Sequence, residues 1–195
     1  MKRRDVLKGL GLSMGYVVVT PTILSLLQSC KRTETLNWQP VFFNNNQIKI
    51  INNLVDLILP KTADLPGALD VNVPKFIDAY VNEVSNSDSQ KEFKDGIDAV
   101  LKKLDKPVAD LKVTDYDTLL AYYLKATENE QIAFENDKFE VLVYGTLTSL
   151  RSFSIWVYKT SEEVGEKMLI YDPIPGKWVG CMPLEEATGG KAWSL

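Results

Sequence analysis

The chain has 195 residues, 45% of them hydrophobic, with 22 basic and 26 acidic side chains, a formal charge of −4 and no histidine. The missing histidine removes the usual general base near neutral pH, the commonest metal ligand and every Ser-His or Cys-His nucleophile pair. Cys30 and Cys181 are too few for a cysteine-based zinc or iron–sulfur site, and no C-x-x-C-H, P-loop or flavin fingerprint is present, so neither a catalytic residue nor a metal site is expected.

The first segment, MKRRDVLKGLGLSMGYVVV, carries Gly9, Gly11 and Gly15. A dinucleotide-binding loop needs G-x-G-x-x-G after a buried strand; here the spacing is G-x-G-x-x-x-G and no strand precedes it. The order of parts instead fits an export signal. Lys2, Arg3, Arg4 and Lys8 lead into a mildly apolar stretch from Gly9 to Leu27. Gly, Ser, Thr and Pro21 dilute that stretch, which makes it a poor permanent span. Arg3 and Arg4 resemble the pair of a twin-arginine signal, with Val6 where Phe is commonest and no Ser or Thr before the pair. An ordinary secretory signal with incidental arginines is the alternative. Leu27, Ser29 and Cys30 resemble a bacterial lipobox, in which Cys30 is lipidated and becomes the first mature residue.

Residues 1–29 are therefore read as a twin-arginine-type lipoprotein signal, 30–43 as a tether and 44–195 as one helical domain. Removing the signal, with its four basic residues and one acid, leaves 166 residues of formal charge −7. An acidic domain without a basic cluster is a poor partner for nucleic acid. The expected location is the bacterial envelope, on the periplasmic side, held by the lipid anchor.

The spacing of Ile48, Ile51, Val55 and Ile58, with Leu54 alongside, predicts a helix over 44–59 between an Asn start and Pro60. PKTADLPGALDVNVP reads as a structured loop. Pro74 then suits the first helical position of a segment expected to bury Phe76, Ile77, Tyr80 and Val84. Residues 85–89 read as a turn. Phe93, Ile97, Val100, Leu101 and Leu104 form the inner face of the next helix, closed by Pro107. Thr114 or Asp115 can cap a further helix whose stripe is Leu119, Leu120, Tyr122 and Tyr123.

From Lys138 to Tyr158 the chain is apolar almost all round, which points to a helix buried at the centre of a bundle; length favours helix over strand. Arg151, the only charge between Glu140 and Lys159, is expected to snorkel or to form half of a buried ion pair. SEEVGEKML adds at most one short helix. The tail, YDPIPGKWVGCMPLEEATGGKAWSL, has no helical stripe; it packs over its own bundle or presents Trp178 to another protein. Cys181 is expected to be buried as a small hydrophobe, with an intermolecular disulfide as the alternative. The fold class is all-α: an irregular helical bundle with a long proline- and glycine-rich C-terminal segment.

LILPKTADLPGALDVNVPKFID and YDPIPGKWVGCMPLEEATGGKAWS, behind this leader, resemble the gluconate 2-dehydrogenase subunit 3 family. The resemblance rests on Pro60, Lys61 and Thr62 with Pro66, Gly67 and Ala68, and on Pro175 and Gly176 with Gly180 and Cys181. It implies a non-catalytic small subunit without a cofactor of its own. Its partner would be a large FAD-dependent dehydrogenase of the glucose–methanol–choline type acting on a sugar or polyol, with a c-type cytochrome as a third subunit in some complexes. The large chain would lack a signal and, folded around its flavin, would be exported with this one. The two motif groups, together with Trp178, are the expected partner interface.

Two other classes compete. One is a free-standing envelope lipoprotein that binds a small ligand under the proline-rich loop, near Asp64 or Asp70. The other is a hydrolase using paired carboxylates, for which Asp115 and Asp117 are the tightest pair; their place at a helix start is explained by the helix dipole.

Overall fold

A computed structural model describes residues 38–172, 176 and 179–194. Arg3, Arg4, Cys30, Pro175 and Trp178 lie outside the described residues. The compact unit begins at Pro40. Among the described residues it is built from eight helices and one isolated parallel bridge between Ile170 and Trp193. The fold is all-α.

Helix α1 (Asn45–Ile58) starts on a reciprocal cap. Asn44 Oδ1 accepts the N–H groups of Asn46 and Gln47 at 2.9 and 3.0 Å, and Gln47 Oε1 accepts the Asn44 N–H at 3.1 Å. Its Ile48, Ile50, Ile51, Leu54 and Val55 are fully buried. It packs against α2 (Val73–Glu83), α3 (Ser87–Leu104), α4 (Val113–Leu124) and α6 (Lys138–Thr160). Gln47 Nε2 donates to Asp98 Oδ1 at 2.7 Å, tying α1 to α3.

Helix α2 follows Asn72, which takes the left-handed conformation (φ 58°) that Asn tolerates better than most residues, and Pro74 lies in its first turn. Two i,i+4 rows compete for its inner face: Val73, Ile77 and Val81 against Phe76, Tyr80 and Val84. The first row is buried, whereas Phe76 and Val84, expected inside, are exposed. Beside the Val73 row lies Asp78, 1% exposed. Its carboxylate accepts the backbone N–H groups of Val41, Phe42 and Phe43 at 2.7, 3.1 and 2.9 Å. The last residues of the expected tether are thereby fixed to the domain, and Phe43 is buried against Phe93 with ring centroids 5.6 Å apart.

Helix α3 starts inside the stretch read as a turn, because Asn86 Oδ1 accepts the Ser89 N–H at 2.9 Å and caps it. The cap of α4 also differs from expectation. Lys112 holds that place, and Asp115, inside the first turn, accepts the Lys112 N–H at 2.9 Å and the Lys106 ammonium at 2.6 Å. These bonds hold the Asp115 carboxyl below its ordinary range, Lys106 most of all. Leu119, Leu120 and Tyr123 are buried as expected, but Tyr122 is exposed. Helix α5 (Glu128–Phe134) was not foreseen; Thr127 N–H and Oγ1 both donate to Glu130 Oε2 at 2.7 Å. That T-x-x-E spacing was a signal for it.

Helix α6 has the expected length but not the expected surroundings. It touches α1 through α5 and the short α7 (Glu162–Gly165). Val143, Leu147, Leu150, Ser154 and Val157 are buried, while Val141, Gly145, Ser149 and Trp156 are exposed. It is central on one side only. Arg151 is exposed and forms no ion pair among the described residues, so the buried-pair expectation does not hold. No described helix is long and apolar enough to cross a membrane.

One polar junction joins three helices. Lys103 Nζ lies 2.5 Å from Glu140 Oε1, and Tyr123 donates its hydroxyl to Glu140 Oε2 at 2.6 Å. Burial, then the bonded carboxylate, raises the Tyr123 hydroxyl well above its usual range. Burial would also raise Glu140, but its bonds to Lys103 and Tyr123 outweigh it and hold the carboxyl low.

Candidate partner-docking surface

The loop between α1 and α2 holds five of the residues expected at the interface. Its shape follows from hydrogen bonds rather than from apolar burial. Leu65 N–H donates to Thr62 Oγ1 at 3.0 Å and Thr62 N–H to the Leu65 carbonyl at 3.0 Å, closing a tight turn after Pro60 and Lys61. Gly67 N–H donates to Asp70 Oδ2 at 2.8 Å, and Lys61 Nζ lies 3.1 Å from Asp70 Oδ1. A Cβ on residue 67 would stand 2.7 Å from the Lys61 backbone nitrogen, so the loop closes only over glycine. The Gly67 and Lys61 bonds hold the Asp70 carboxyl below its ordinary range. The Tyr158 hydroxyl donates to the Pro66 carbonyl at 2.7 Å and fastens the loop to α6. Burial first, and then the Asp70 charge, raises both Asp56 and Tyr158.

Beside this loop is a cleft of about 450 Å³ walled by Pro66, Lys61, Asp70, Glu162, Glu163 and Lys167. Lys61 pairs with Asp70, and Lys167 with Glu162 at 3.3 Å and Glu163 at 2.8 Å. Both lysines are thus paired within the chain, and the three acids leave the cleft with one negative charge in excess. Asp64 is exposed on the loop and is not among the residues that line the cleft.

The larger apolar feature is a set of four rings where α2 meets α6. Tyr80 packs against Phe76, Phe153 and Trp156 with centroids 6.0, 5.1 and 5.9 Å away, and Phe76 and Phe153 lie 5.9 and 5.8 Å from Trp156. Phe76 is 44% and Trp156 41% exposed. Leu65 and Leu69 on the neighbouring loop are exposed too. Large rings held in fixed edge-to-face contact, yet open to water, are the material of interface anchors. Neither Phe76 nor Trp156 was singled out from sequence as a surface residue. Both sit in apolar runs, and only the neighbouring helices determine which row of a run is covered.

In the tail, Gly176, Gly180 and Cys181 are exposed. Cys181 is an exposed free thiol with φ 61°, which overturns the expectation that it is buried. Helix α8 (Leu184–Thr188) follows, and Ile170 N–H donates to the Ala192 carbonyl at 3.0 Å, returning the tail to the domain. Asp115 serves its own helix and Asp117 is exposed, so the carboxylate pair is explained locally.

The residues expected at the interface thus fall into two separately built groups, the loop fastened to α6 and the tail turn. No curated protein and no solved structure matches the chain. A family model described as gluconate 2-dehydrogenase subunit 3 matches residues 45–176, from the first residue of α1 to the beginning of the tail. That span includes the loop, the ring cluster and every helix that supports them, and the chain belongs to the gluconate 2-dehydrogenase subunit 3 family.

Proposed function

We propose that this chain is the non-catalytic accessory small subunit of an envelope dehydrogenase that uses FAD to oxidise a sugar or polyol. The observation that carries the reading is the family match over residues 45–176, a family named for one subunit of a larger dehydrogenase. The open ring cluster of Phe76, Tyr80, Phe153 and Trp156 supports it, because it supplies the anchors that a stable subunit contact needs. Arg3 and Arg4 support export by the twin-arginine route, and Cys30 supports lipid anchoring on the periplasmic side. Flavin is inserted inside the cell, so a folded partner without a signal is carried out on the leader of this chain. A c-type cytochrome completes the electron path towards the membrane.

The test is to tag the carboxyl end in the native host, solubilise the membranes gently, and record the visible spectrum with the mass of each co-purifying chain. The expected result is a flavin spectrum stoichiometric with a large second chain. A colourless single species overturns the reading. Arg3→Lys with Arg4→Lys is expected to keep both chains inside the cell; continued arrival at the envelope would remove the twin-arginine route.

A further inference from the structure

Helix α6 carries a second open feature, distinct from the ring cluster. Between α6 and α3 runs a groove of about 590 Å³ whose apolar walls are Phe93, Val141 and Leu142 and whose floor is Gly145, with Ser89 and Ser149 beyond it. Gly96 abuts Thr146 and Lys103 reaches Glu140, so the two helices run antiparallel. This direction sets the charges at the groove's two ends. Lys138 stands at the start of α6, and Glu92 stands on the Ser149 side of the Gly96–Thr146 crossing. Both are exposed, and neither forms an ion pair among the described residues.

Gly145 lies in the middle of a 23-residue helix, where glycine costs about 1 kcal/mol relative to alanine. At Gly96 the chain itself requires the missing Cβ, which would stand only 2.1 Å from Thr146 Oγ1. At Gly145 it does not: a Cβ there meets nothing within 4 Å. The space is open on the side of the groove, and Val141, one turn away, is 45% exposed on the same side. A bare stretch of helix backbone flanked by apolar walls admits another helix at close range. From Val141 to Trp156 the open side of α6 extends about 22 Å, at 1.5 Å per residue, and leads into the ring cluster.

We infer that this groove receives one amphipathic helix of the large dehydrogenase subunit, with its apolar face over Gly145, an acidic side chain towards Lys138 and a basic one towards Glu92. The inference rests on the accessory-subunit reading and adds to it the place and chemistry of the contact. The opposite charges at the two ends select one direction for the docked helix. The apolar walls supply the area, and the ring cluster continues the contact beyond the groove.

The test uses the full chain, tagged and purified from its native membranes. Gly145→Trp fills the groove from its floor, and Val141→Asp places a charge on its wall; neither residue is buried. Each is expected to lower recovery of the large flavin-containing chain about tenfold or more, with the thermal midpoint of the small chain kept. Should Gly145→Trp fail to fold, Val141→Asp carries the test alone. Lys138→Glu is expected to weaken recovery at low salt and much less at high salt. If the unaltered chain recovers the flavoprotein and the folded variants recover it equally, the groove inference falls and the accessory-subunit reading stands. If the unaltered chain recovers no flavoprotein, both fall. If light scattering shows an unaltered dimer that the variants turn into monomers while the flavoprotein stays bound, the groove joins two copies of this chain and the inference is overturned.

Discussion

The two sides of α6 are made of much the same residues and meet opposite fates. One side presents Val143, Leu147, Leu150 and Val157 and is buried; the other presents Val141, Leu142, Phe153 and Trp156 and is left wholly or partly open. Composition does not separate them. The difference lies in what stands opposite: other helices close over the first side, whereas on the second a groove lies open between α6 and α3. A helix apolar all round is therefore not by itself evidence of a central position.

The contrast can be broken by substitution. The largest effect is expected on the covered side: Leu147→Ala should cost about 2–5 kcal/mol in denaturant unfolding, since the side chain is fully buried and its neighbours cannot all collapse into the space. A loss below about 1 kcal/mol would mean that the covered side is loosely packed. Next come the two glycines, which should respond to the same change with opposite signs. Gly96→Ala drives a Cβ into Thr146 and should destabilise by about 1–3 kcal/mol. Gly145→Ala meets nothing within 4 Å among the described residues and should stabilise the isolated domain by about 1 kcal/mol through helix propensity, read as a higher thermal midpoint. If both alanines destabilise, the side at Gly145 is covered by something within the chain.

The smallest effect belongs to the junction at the rim of the covered side. Glu140 is held below its ordinary value of 4.5, because its bonds to Lys103 and Tyr123 outweigh burial. A depressed carboxylate stabilises fully above the unfolded value and loses that contribution as pH falls through the folded one. Glu140→Gln should therefore flatten the fall in stability below about pH 4.5, measured by urea unfolding across pH. An unaltered acid limb would show that the junction carries no net linkage.

Much of the helix plan was legible because local chemistry sets it. Asn44 and Pro60 bracket α1, Pro74 opens α2, and the Phe93–Leu104 spacing marks the inner face of α3. The starts of α3 and α5 were missed although Asn86 and the Thr127–Glu130 pair announce them, because a cap in a polar stretch also reads as a turn. The loop with Gly67 was recognised by its residues, but its closure by Asp70 and its fastening by Tyr158, 92 residues away from Pro66, were not. Phe76 and Cys181 were placed inside and are outside. The Asp78 clasp on Val41–Phe43 was invisible for the same reason: a lone acid in an amphipathic helix reads as solvent-facing until backbone donors are brought to it from 35 to 37 residues away.

The sequence by itself determined the all-α class, the length of α6 and membership of a family defined by its loop and helices, since caps, prolines and periodicity act over a few residues. Only the tertiary structure decided which apolar rows are buried. Covering a row requires an opposing surface, and among the described residues Phe76, Trp156 and Val141 remain open because no second surface closes over them.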